Sequence, residues 1–202
     1  MIKVWDPLVR VFHWTLVASF GIAWLSAEEM ADLHIWAGYA AAALIAFRLA
    51  WGFVGPHYAR FAQFVVRPGA VIDYLRATLR GDAPRYVGHN PAGAVMVVVL
   101  LLALSVTAWS GWMMMGSQQG TGASGQAISL EEADDAEGGL QGAEYAGPEW
   151  VGELHEGAAN LTLMLVLLHV GGVVFSSFKT HENLPRSMVT GFKREPEPGD
   201  VA

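Results

Sequence analysis

A chain of 202 residues that is 53% hydrophobic and only 15% charged carries too little charge for a soluble domain of its length, and is read as a multi-pass membrane protein. A formal net charge of −7 speaks against nucleic acid as a partner. The absence of cysteine excludes disulfides, cysteine-held iron–sulfur clusters and thioether-attached haem.

In chain order, the N-terminus MIKVWDPLVRVFHW is interrupted by Asp6 and Pro7, and no small-residue cleavage site follows its apolar run. The segment 8–25 is therefore expected as a retained first span rather than a removable signal peptide. Further apolar runs at 33–53, 92–115 and 154–178 each have the roughly 17–25 residues that cross a bilayer as helix. Pro91 just precedes the third, where a missing N–H costs nothing. Between the second and third spans, 54–91 is polar and basic, with an amphipathic surface helix expected over 68–79. The Gly/Ser/acid-rich stretch 116–147 reads as a long flexible loop, and 179–202 as a tail. The expected fold class is an all-α integral membrane protein whose residues 1–178 form a four-transmembrane-helix bundle.

Charge predicts the topology. No Lys or Arg lies between Tyr86 and Phe178, and all twelve basic residues fall in the N-terminus, the second loop with the end of the second span, or the tail. The first and third loops carry Glu28, Glu29, Asp32, Glu131, Glu132, Asp134, Asp135 and Glu137 instead. The positive-inside rule makes both termini and the 54–91 loop cytoplasmic, with the acidic 116–150 loop periplasmic.

His155 and His169 are fourteen positions apart on the fourth span, so both leave roughly one helix face, about 21 Å apart along the axis. His13 lies about 8 Å inside the cytoplasmic end of the first span, and His169 roughly 14 Å inside that of the fourth. His34 and His155 both begin their spans at the outer edge. The depths pair His13 with His169 on the inner side and His34 with His155 on the outer side. Each pair comes from two helices, as a haem wedged in a bundle requires. A single intramembrane histidine is as often a packing or hydrogen-bonding residue. Two pairs at matched depths, in spans where ionisable groups are expensive, point to two bis-histidine haem b groups.

The motifs VFHW (11–14), LHIWAGY (33–39), FRLAWGF (47–53), GHNPAGA (88–94) and LHVGGVVF (168–175), in this order, resemble the b-type cytochromes of bacterial nickel–iron hydrogenases, the cytochrome b561-like family. The family is itself similar to the gamma subunits of membrane formate dehydrogenases. The resemblance covers Trp5 to about Phe178. It implies a four-helix di-haem cytochrome exchanging electrons with quinone or a partner redox protein, with His13, His34, His155 and His169 as axial ligands. The long acidic third loop departs from the pattern and puts the hydrogenase partner in doubt.

Around these ligands the sequence offers further cofactor-binding candidates. Arg48 can bond a haem propionate, the expectation here, or snorkel to lipid phosphate. His89 and Asn90 can bond a propionate or serve a quinone site; equally they can cap the third helix or satisfy loop carbonyls. His89 is also the rival to His13 or His169 as inner ligand. Gly38, Gly171 and Gly172, like Gly21, Gly111 and Gly157, lie in spans where a missing side chain admits either a macrocycle or a neighbouring helix. For Gly171 and Gly172, beside His169, haem clearance is the expectation.

Two nitrogen ligands per iron leave no position for oxygen, so the expected activity is electron transfer across the inner membrane between a periplasmic redox protein (a cytochrome c, or a hydrogenase or dehydrogenase subunit) and the quinone pool, as one subunit of an oxidoreductase rather than a stand-alone enzyme. One alternative is a quinone-reducing oxidase of a small outer substrate such as superoxide, disfavoured because no outer Lys or Arg would attract an anion. A haem-free membrane anchor or a metal transporter is the other.

Overall fold

The computed structural model describes residues 1–122 and 148–201. Among these residues, four helices are long and apolar enough to cross a bilayer: Pro7–Ser26, Ala31–Val54, Pro91–Met115 and Glu149–Thr180.

Helix α1 (Pro7–Ser26) starts where the sequence stops it from starting earlier. Pro7 occupies the first turn, and the Asp6 carboxylate accepts from the Val9 N–H at 3.4 Å. The same carboxylate accepts from Trp51 Nε1 at 3.0 Å, which ties the start of α1 to the end of α2 (Ala31–Val54). Two short 3₁₀ turns, His57–Ala59 and Phe61–Gln63, lead to the surface helix α3 (Pro68–Arg80), none of whose residues is buried. It ends at Gly81, whose φ of 94° lets the backbone turn back on the last carbonyls without a Cβ clash. Helix α4 (Pro91–Gly122) is capped by the Asn90 side-chain oxygen, which accepts from the Gly93 N–H at 2.7 Å. The stretch expected as loop from residue 116 thus begins as helix, and the acidic part at 123–147 lies outside the described residues. Helix α5 (Glu149–Thr180) follows.

The spans pack as two antiparallel pairs, α1 on α2 and α4 on α5, joined mainly through α2 and α4. Small residues let the backbones approach: Ala37 on α2, Ala103 and Ser110 on α4, and Ala158 and Thr162 on α5 are all buried. Thr107 and Thr162 place their hydroxyls 3.4 Å apart across the α4–α5 seam, while each also bonds a carbonyl one turn back in its own helix. Many large apolar side chains point outward, among them Leu25, Trp36, Leu102, Trp112, Leu167 and Phe178, while Phe12, Ile45, Leu101, Leu104 and Leu165 are buried between the helices.

Both termini lie at one end of the bundle, together with the α2–α4 connection; the α1–α2 turn and the start of α5 form the opposite end. The residues after α5 are folded against the termini end. A short helix α6 (Leu184–Thr190), capped by Asn183 on the Arg186 N–H at 2.8 Å, ends at Gly191 with φ 88°. Strand β2 (Phe192–Lys193) then pairs antiparallel with β1 (Ile2–Lys3). Arg85 bonds Glu182 at 2.6 Å, Asp200, and the Arg194 carbonyl at 2.9 Å; Lys193 donates to the Val87 carbonyl at 2.9 Å. This buried clasp locks the tail to the α2–α4 connection.

Candidate functional site

At the far end, His34 in the first turn of α2 and His155 near the start of α5 face each other with ring centres 6.0 Å apart and planes crossed at 80°. At the termini end, His13 on α1 and His169 on α5 face each other at 6.5 Å and 57°. An imidazole nitrogen stands about 2 Å from a metal it ligates and about 1 Å from its own ring centre, so two rings on opposite sides of one iron have centres roughly 6 Å apart. Both separations fit an iron held between the rings; as they stand, the first pair is edge-to-face and the second tilted.

The hydrogen bonds bear on which nitrogen is free. His34 Nδ1 lies 2.8 Å from the Ala23 carbonyl, and His155 Nδ1 lies 3.0 Å from the Thr107 carbonyl and 3.1 Å from Ser110 Oγ. A carbonyl only accepts, so each Nδ1 carries the proton and leaves the Nε2 lone pair for a ligand. Among the described residues, His13 Nδ1, by contrast, is buried with no hydrogen-bond partner. Arg48 is likewise buried, one guanidinium nitrogen without a partner, its charge centre 5.2 Å from the Phe61 ring and 5.6 Å from that of Phe64. An orphaned buried guanidinium is what an anionic group such as a propionate would complete.

His89 sits between the rings of Trp5 and Phe64, at 4.8 and 4.9 Å. Burial, then the charges of Lys193 and Arg48 and the nearby His169, push it from the ordinary 6.5 down to about 3, so it is a neutral ring at physiological pH. Asn90 bonds the start of α4, one of the two roles its position allowed.

The glycines divide. A Cβ at Gly38, Gly171 or Gly172 would meet nothing within 4 Å, which is the open space a macrocycle beside α2 and α5 needs. Gly21 and Gly157 are equally open. At Gly111 the space is filled: a Cβ there would stand 3.0 Å from His155 Cε1 and 3.3 Å from Nδ1. Sequence reasoning passed over Thr107 and Ser110 and left Gly111 between two readings, yet all three surround one imidazole. The available signal was a Thr, a Ser and a Gly within about one turn of a span with few other polar residues.

A family model described as prokaryotic cytochrome b561 matches residues 4–191. No curated protein and no solved structure matches the chain.

Proposed function

Because the chain belongs to the prokaryotic cytochrome b561 family, and is thereby a membrane-embedded b-type cytochrome of electron transfer, we propose that it carries electrons across the bacterial inner membrane between a periplasmic redox protein and the quinone pool. Two haem b groups serve the transfer, one held by His34 and His155, the other by His13 and His169. The observation that carries this reading is the pair of imidazole separations, 6.0 and 6.5 Å, at the two ends of the bundle.

Bound haem would supply a one-electron couple, held by the imidazoles of His34 and His155 at one end and of His13 and His169 at the other. The chain's own residues hold and orient it. Ala23 and Thr107 carbonyls fix the far imidazoles through Nδ1 and leave Nε2 to ligate. Arg48 neutralises a propionate at the termini end, and Gly38, Gly171 and Gly172 leave clearance for the flat ring. The outward-facing apolar side chains meet lipid. The positive-inside distribution supports a cytoplasmic termini end. There, neutral His89 and the Arg48 cation are the polar groups beside which a quinone headgroup would bind. The far end, with Glu28, Glu29 and Asp32 and without Lys or Arg, suits a basic protein donor better than a small anion.

The test is a reduced-minus-oxidised spectrum with a haem assay on the purified protein. Two haem b per chain are expected; colourless protein or a single porphyrin refutes the reading.

A further inference from the structure

Helix α4 contributes no ligand in the reading above, yet it shapes the surroundings of one. Ser110 is fully buried; its hydroxyl reaches the Val106 and Thr107 carbonyls at 2.8 and 3.0 Å and stands 3.1 Å from His155 Nδ1. The Thr107 carbonyl approaches that nitrogen at 3.0 Å. Gly111, next in the chain, leaves the hollow into which the ring fits. Three neighbouring features of one helix thus fix the position, tautomer and hydrogen bonding of a ring that belongs to another helix. The opposite ring, His34, is held by a carbonyl in the same manner.

The other pair differs. His13 Nδ1 is buried without an acceptor among the described residues, and the cation of Arg48 is buried in the same half of the bundle. A hydrogen bond from Nδ1–H to a carbonyl makes an imidazole a stronger donor to the metal and favours the ferric state; an unpartnered Nδ1–H does not. A nearby buried cation favours the ferrous state, whose charge is lower by one.

We propose that Thr107, Ser110 and Gly111 form a positioning seat for His155 that sets the far site at a lower reduction potential than the termini-end site. The proposal rests on the two-site reading of the preceding section and adds an asymmetry between the sites. With that order of potentials, an electron delivered to a haem held at the far site would pass downhill to one held at the termini end.

Potentiometric titration of the purified holoprotein tests this, with H155A and H169A assigning the components. Two separate midpoints are expected, and the component surviving in H169A is the lower one. Ser110→Ala shifts that lower midpoint upward and leaves the upper in place; Ser110→Thr, which keeps the hydroxyl, restores it. A higher-potential survivor in H169A overturns the proposal, and that comparison stands even if the Ser110 variants fail to assemble. So does a Ser110→Ala variant in which neither midpoint moves or both move together. Two haems sharing one midpoint overturn the asymmetry while leaving the two-site reading intact, whereas a missing second haem overturns the two-site reading itself.

Discussion

Gly52 abuts one edge of the Phe61 ring: a Cβ at Gly52 would collide with that edge, and the Arg48 guanidinium rests over the same ring at 5.2 Å. One missing side chain on α2 therefore decides where a phenyl ring from the following 3₁₀ turn can sit, and the phenyl ring supports the buried cation. Gly52→Ala should displace Phe61 and, through it, Arg48. The cost expected for overpacking is about 1–3 kcal/mol, together with reduced haem content at the termini-end site only. Combining Gly52→Ala with Phe61→Ala should recover much of the lost stability. A Gly52→Ala protein with unchanged thermal midpoint and haem content would show that this stack does not support the site.

The pairing makes a prediction of its own. In the proposed pairing each haem would take one ligand from α5 and one from the α1–α2 pair, so four single substitutions should fall into two classes. His13→Ala and His169→Ala should each abolish the same spectral component, and His34→Ala and His155→Ala the other. Losing one axial nitrogen from a haem that nothing covalent retains should remove it or convert it to a high-spin form. If His13→Ala and His34→Ala struck the same component, the cross-bundle pairing would be wrong.

What sequence could and could not reveal follows from how local each feature is. Spans, the surface helix over Pro68–Arg80 and the matched depths of the four histidines all depend on periodicity and position along one helix, so they can be read residue by residue. The seat around His155 could not, because Thr107, Ser110 and Gly111 gain meaning only when α5 is laid beside α4. Asn90 stayed open for a related reason: a cap and a ligand-binding amide look alike until the Gly93 N–H is seen to point at its oxygen. Residues 179–202 read only as a tail, since Arg85 and Glu182 are 97 residues apart and only the fold brings them together.

Charge at the far end predicts salt-sensitive electron uptake. Glu28, Glu29, Asp32, Glu149 and Glu153 are exposed there, and no Lys or Arg lies between 86 and 178. Steering of a basic partner by such a surface raises association by about 10–1,000-fold at low salt, and screening shortens its range from about 10 Å at 0.1 M to 3 Å at 1 M. Reduction of the protein by a basic cytochrome c, followed by stopped flow, should slow by on the order of tenfold over that range. A rate indifferent to salt would remove the argument for a basic donor.

The clasp at the termini end should open in acid. Burial alone would raise the Glu182 carboxyl, but its hydrogen bond to Arg85 and the charges of Lys193 and Arg85 outweigh that and hold it below the ordinary range. His89, with Lys193, Arg48 and His169 near it, is held at about 3, chiefly by burial. Glu182 binds a proton more readily once the tail is released than while it is clasped, and His89 does so because release takes the Lys193 charge away from it. Their contribution is complete above the ordinary histidine value of 6.5 and is lost as pH falls, first through the His89 window between 6.5 and about 3, then as Glu182 protonates. Limited proteolysis of the tail after α5 should therefore accelerate from pH 7 to pH 4. Glu182→Gln removes one partner of a buried charge cluster and leaves Arg85 and Lys193 undercompensated, a loss of about 3–5 kcal/mol. The variant should be cleaved quickly even at pH 7. Equal cleavage rates across the pH range in the unaltered protein would mean that these groups do not hold the tail.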